Sequence, residues 1–280
     1  MNIGIIGLGL IGGSLGRTII KRTEHKVYGY DLNTSVLDKA EVISALNFRL
    51  TKENAKDVDV LIISVYPRAL DGVLKEFLPC LKQGAIVVDC CGVKRYTEEI
   101  MKNYVDKYKE ITFIGGHPMA GREYSGIDHA ITTLFDKAYM ILSPINADIF
   151  ALDKTKKFFL ELGFCSVVIT NADNHDKIIA FTSQLCHIVS NAFIKNKTAE
   201  DHMGFSAGSY RDLTRVAMLN PTMWTELMLD NKDKLVPELK ELIGNLNGYL
   251  QALESGNYEE LYTLLDDGNK RKISIDSRRK

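Results

Sequence analysis

An apolar run at residues 2–6 passes directly into Gly7-Leu8-Gly9-Leu10-Ile11-Gly12, and helical spacing then continues to about residue 21. No other stretch restricts the fold as strongly. In a strand that hands over to a helix through glycines at this spacing, the first glycine makes a tight turn. The second lets backbone approach a pyrophosphate, and the third permits close helix–strand packing. The helix opening there offers unbonded N–H groups and its positive dipole end to phosphate. Gly7, Leu8, Gly9, Leu10, Ile11 and Gly12 are therefore expected to contact a dinucleotide. Gly13 and Gly16 keep the same helix thin where it meets the sheet or a ligand. A second strand, 26–30, ends in Asp31, placed to accept hydrogen bonds from an adenosine ribose. Its carboxylate would repel a 2′-phosphate, so NAD is expected over NADP.

The strand–helix alternation continues. A strand over 59–64 ends at Ser64-Val65-Tyr66-Pro67, and Ser64 and Val65 are counted with the dinucleotide contacts. A helix to about residue 78, a strand over 85–89, an amphipathic helix over 96–108 and a strand over 111–114 follow. Two further strands, 138–142 and 165–170, flank a helix near 148–162. Such alternation implies right-handed crossovers. Residues 1–170 are read as a dinucleotide-binding α/β domain, a Rossmann-type doubly wound sheet. Residues 171–280 show no convincing strand and are read as an all-α domain that binds substrate and dimerises.

Gly115-Gly116-His117-Pro118-Met119-Ala120-Gly121 is expected to form a loop after the 111–114 strand. That would put His117 in the crevice at the carboxyl ends of the strands, where such sheets bind ligands. In the second half, 173–195 has helical spacing, with Gln184 and His187 three apart on one face. A helix is expected over 210–219, and Asn220-Pro221 reads as a cap followed by proline at the first helical position. Leu235, Leu239, Leu242, Leu246, Leu250 and Leu253 stripe the next helix, and Asn257 with Glu260 reads as a capping box. Arg211 and Arg215, at i and i+4, repel each other unless an anion lies between them. His175, beside Asp176 at a helix start, is read as structural.

Composition excludes several roles. A net charge of −1 gives no general attraction to nucleic acid or to an anionic membrane. No run is apolar for long enough to span a bilayer. The five cysteines have no C-x-x-C spacing, and their odd number argues against a secreted disulfide framework. His25, His129 and His202 show no metal-ligand spacing, so no metal is expected. A cytoplasmic setting is expected.

Several of these segments coincide in one family. The chain resembles the prephenate/arogenate dehydrogenases of tyrosine biosynthesis. The resemblance is carried by the N-terminal glycine motif, Asp89 to Lys94, the block from Gly116 to Gly126, Gln-Leu-Cys-His at 184–187 and Tyr-Arg-Asp-Leu-Thr-Arg-Val-Ala at 210–217. It implies a Rossmann-type domain followed by a helical dimerisation domain. The implied reaction is NAD-dependent oxidative decarboxylation of prephenate to 4-hydroxyphenylpyruvate, with arogenate as the alternative substrate and a catalytically silent NAD sensor as a remote one. It implies His117 as the catalytic base for the ring hydroxyl, Arg215 on a substrate carboxylate, and His187 near the pyruvyl end. Arg211, Gln184 and Glu123 join the expected substrate contacts, and a homodimer through the helical domain is implied. Many relatives carry serine at the position of Gly92, where it supports the histidine and substrate, so water, backbone or another side chain is expected to orient His117 here. From the length, no fused mutase or regulatory domain is expected.

Overall fold

The computed structural model describes residues 1–122 and 124–278. Among them is an eight-stranded sheet in the order β3-β2-β1-β4-β5-β6-β7-β8. The strands are β1 (Asn2–Ile6), β2 (Lys26–Tyr30), β3 (Phe48–Arg49), β4 (Val60–Ile63), β5 (Ile86–Asp89), β6 (Thr112–Pro118), β7 (Tyr139–Pro144) and β8 (Ser166–Ile169). The order reverses direction at β1/β4, and β1 through β6 pair in parallel. The last two strands are parallel to each other, but β7 runs antiparallel to β6.

Alternate side chains of each strand enter different cores. Ile3, Ile5, Val60 and Ile62 pack with α1 (Leu10–Arg22), α2 (Thr34–Val42) and α5 (Ile149–Glu161) through Leu15, Ile19, Leu37 and Phe158. Ile6, Leu61, Ile63 and Val87 pack with α3 (Leu70–Phe77) and α4 (Arg95–Val105) through Leu74, Phe77 and Met101. Both faces are covered, which is why these strands are nearly continuous runs of apolar residues.

His117 is not in a loop: β6 continues through Pro118, with His117 opposite Ile141 and Pro118 opposite Met140. The neighbour on the other side, β5, stops at the pair Asp89–Gly115. An antiparallel partner thus carries β6 three residues past the parallel ledge and holds the histidine rigidly at the carboxyl ends of the strands.

The helix expected over 173–195 starts as α6 (Ala172–Ile179), widens into a π-helical segment (Ala180–Leu185) and resumes as α7 (Cys186–Phe193). A short α8 (Gly208–Thr214) ends five residues before the spacing suggested. The Asn220 side chain caps α9 (Pro221–Asp230) by accepting from the Met223 N–H. The chain forms two compact units, Met1–Asn231 and Lys232–Lys280, so α6 to α9 share a unit with the sheet. The second unit contains α10 (Lys232–Ser255) and α11 (Tyr258–Ser277), joined by the expected Asn257–Glu260 cap. No helix among the described residues is long and apolar enough to cross a membrane.

Candidate active site

The glycine loop between β1 and α1 has the steric pattern its sequence suggested. Gly7 sits at φ +86°, and a Cβ there would come within 2.5 Å of the Ser64 carbonyl oxygen. A Cβ on Gly12 would lie 1.9 Å from the Gly7 carbonyl oxygen, and one on Gly16 equally close to that of Ala45. Gly9 is the contrast: a Cβ there meets nothing within 4 Å. The first and third glycines of the motif are thus fixed by the protein's own backbone, while the second faces open space. The α1 N-terminus has no side-chain cap and no acid in its first turn, so its N–H groups and dipole are unopposed by protein charge. Asp31 closes the cradle, accepting from the Leu8 N–H and the Asn33 N–H at 2.9 Å each. These residues fit a dinucleotide pyrophosphate with its ribose against Asp31. Ser64 and Val65 follow the end of β4 and lie against Gly7.

At the carboxyl edge of β6, His117 begins a buried chain of hydrogen bonds. Its Nδ1 lies 2.8 Å from Nε2 of His175, and His175 Nδ1 lies 2.7 Å from Asp176 Oδ1. The Asp176 carboxylate also receives the backbone N–H groups of Lys94 (2.7 Å) and Arg95 (2.9 Å), so it caps the N-terminus of α4. Below the histidine, Lys94 is fully buried, ion-paired with Asp89 and donating to the Gly116 carbonyl at 2.6 Å. Asp89 further accepts from the Cys91 N–H. Burial, helped by His175 and the Lys94 cation, holds the His117 imidazole well below its ordinary value of 6.5. A neutral imidazole at pH 7 accepts a proton. Burial likewise pushes the Cys90 thiol up to about 12, which removes it as a nucleophile.

The second half contributes through α7, α8 and α9. His187 lies against Trp224 with ring centroids 3.9 Å apart and the ring planes tilted by 33°, while its Nδ1 donates to the Ser183 carbonyl at 2.8 Å. Burial keeps this imidazole below its usual range, the Ser183 carbonyl raises it, and the Arg215 charge lowers it again. Arg211 is on α8 and Arg215 just past its end, both exposed. Gln184, expected among the substrate contacts, is instead buried with both ends of its amide engaged. It donates to the Leu227 carbonyl and accepts from Asn231, both at 2.8 Å. Its environment makes it a brace for α9. Glu123 lies outside the described residues.

Sequence reasoning missed the supports of this site. Asn231 is fully buried and ties α6, α9 and α4 together, donating to the Asp176 carbonyl and accepting from Arg95. A polar residue after a helix, with no partner nearby in sequence, gives no signal of that. His175 gives a weak one, the adjacent His-Asp pair at a capped helix start, which on its own reads as structural. At Gly92, a Cβ would approach the Leu227 methyls at 3.3 and 3.4 Å, so α9 packs closely against this backbone. Among the described residues no group of three His, Cys, Asp or Glu side chains could hold a metal ion.

Comparisons with known proteins agree with this architecture. Residues 15–168 match the prephenate dehydrogenase nucleotide-binding domain, and residues 171–267 match the prephenate dehydrogenase dimerization domain. The cyclohexadienyl dehydrogenase of Zymomonas mobilis is 30% identical, over 98% of this chain and 96% of its own. A crystal structure of A. aeolicus prephenate dehydrogenase in complex with hydroxyphenyl propionate and NAD+ superposes with a TM-score of 0.84 at 26% identity, covering 98% of both chains. The Synechocystis arogenate dehydrogenase structure superposes with a TM-score of 0.78 at 25% identity, over 98% of this chain and 100% of that one.

Proposed function

The chain belongs to the prephenate dehydrogenase family, and from that premise we propose that it converts prephenate, with NAD, to 4-hydroxyphenylpyruvate and carbon dioxide. The observation that carries this reading is the neutral His117 at the carboxyl edge of the sheet, with Nδ1 taken by His175. Its other nitrogen, Nε2, is the one left to meet a substrate. Bound in the glycine cradle, NAD supplies the hydride acceptor. His117 takes the ring-hydroxyl proton at Nε2 as the adjoining carbon gives up hydride, which is general-base work suited to an imidazole neutral at pH 7. Loss of carbon dioxide needs no further acid or base from the protein, because it yields an aromatic ring. Arg215, with Arg211 beside it, binds a substrate carboxylate, and His187 faces the side-chain end. Asp31 selects NAD by its ribose contact.

A second reading is arogenate, alone or together with prephenate. One observation favours it: with Nδ1–H committed to Ser183, a neutral His187 offers Nε2 as an acceptor. An acceptor suits the ammonium of arogenate better than the keto oxygen of prephenate. We read residues 1–170 as the dinucleotide domain and 171–280 as the substrate and dimerisation domain. Dimerisation is supported by the exposed Leu246, Leu250 and Leu253 of α10, an apolar row left uncovered within one chain.

The test is direct. Purified protein mixed with NAD and either prephenate or arogenate is followed by absorbance of reduced nicotinamide and by product identity. Formation of 4-hydroxyphenylpyruvate from prephenate supports the first reading and tyrosine from arogenate the second. No turnover of either substrate refutes both.

A further inference from the structure

We infer that His175 is a positioning residue for this reaction, holding His117 in the tautomer that carries its proton on Nδ1 and presents a bare Nε2. The inference rests on the reading of His117 as the base, and extends it to a residue that touches no substrate.

The chain of hydrogen bonds starts at the Asp176 carboxylate. Burial alone would raise that carboxyl, but hydrogen bonds from His175 and from the N–H groups of Arg95 and Lys94 hold it below the usual carboxylate value, so it is ionised. An ionised carboxylate only accepts. The ring nitrogen 2.7 Å away, His175 Nδ1, must therefore carry the proton of that hydrogen bond. Burial keeps His175 neutral despite Asp176, and a neutral imidazole has a single N–H. Its Nε2 is then an acceptor, and the atom 2.8 Å from it, His117 Nδ1, must be the donor. Each tautomer in the chain is fixed by the one before it. The last is His117, with its lone pair on Nε2.

The charged groups facing His175 agree with this assignment. Asp176 is on its own helix, the Lys94 cation at the start of α4 disfavours a charged His175, and Asp89 at the end of β5 is neutralised by Lys94. Arg95 is paired with Asp176. When His117 takes the substrate proton, its Nδ1–H is already donated to His175, so the new imidazolium is stabilised without rearrangement. Position 92 has no side chain to serve this purpose, and α9 fills the space beside it. His175 supplies the orienting group that a glycine there cannot.

Protein labelled with ¹⁵N-histidine, free of substrate and cofactor, reads the tautomer by long-range proton–nitrogen correlation. The expected spectrum has His117 protonated on Nδ1 and bare on Nε2, and His175→Ala shifts the His117 proton to Nε2. With prephenate and NAD, His175→Ala lowers kcat by roughly 10²-fold, the lower end for general-base catalysis, at unchanged KM. His175→Gln, whose amide oxygen can still accept from Nδ1–H, recovers most of that loss. A wild-type His117 protonated on Nε2 overturns the inference even if the variants fail to fold, as does an Ala variant with wild-type kcat. Failure of the catalytic reading is separate: it is absence of turnover in the wild type, which the spectrum does not address.

Discussion

The two ends of the candidate site are held to different degrees. Behind the His117 ring, His175, Asp176, Lys94, Asp89 and the N-terminus of α4 form one buried network. Around Arg211 and Arg215, the support is a seven-residue helix with no buried residue of its own. The difference follows from the chemistry proposed for each end. Proton transfer depends on tautomer, angle and desolvation, so the base must be locked before substrate arrives. Capturing a carboxylate with a guanidinium tolerates motion, and the substrate has to enter somewhere. The rigid end should therefore govern kcat and the open end KM.

The strongest challenge to that contrast is His117→Asn, which should lower kcat by roughly 10²–10⁴-fold with little change in KM; steady-state kinetics at saturating NAD measures both. A variant that keeps its kcat removes His117 from the reaction. Lys94→Met should unfold the locked end, since it leaves Asp89 buried without its cation at a cost of about 3–5 kcal/mol. Urea denaturation checks this, and unchanged stability would mean that the pair beneath the histidine is dispensable. Arg215→Ala should act on KM, because a charged hydrogen bond is worth about 1.5–3 kcal/mol, a rise of roughly 10- to 150-fold. If kcat falls instead, the two ends are not separable in the way proposed. The smallest effect is a predicted absence of one. An unperturbed histidine would be about half protonated at pH 6.5, but His117 is held well below that value. A group with a lowered value stays neutral until the pH falls to it, so kcat/KM should be flat from pH 7.5 to 6.5 and decline only at lower pH. An acid limb centred at 6.5 would show that burial does not tune this base.

Which parts were legible in the sequence depended on the range of the interaction responsible. The Asn220 and Asn257 caps meet their partners within a few positions, and the glycine motif and its flanking strands are marked by local spacing and apolar runs. The loop expected at His117 failed because the extension of β6 depends on β7, whose pairing residues lie more than twenty positions away. The three-residue spacing of Gln184 and His187 gives no sign that Leu227 and Asn231 occupy the Gln184 amide. Asp31 needed no correction of place: the turn that brings it to Leu8 follows from the β1–β2 pairing alone.

The sequence by itself determined the alternation of strands and helices, the glycine cradle and the identity of the histidine at the sheet edge, since periodicity and local sterics act between near neighbours along the chain. Only the tertiary structure decided what stands behind that histidine. His175 and Asp176 come from a helix some sixty residues downstream, and hydrogen-bond direction between buried groups exists only once folding has removed the water that would otherwise satisfy each of them separately.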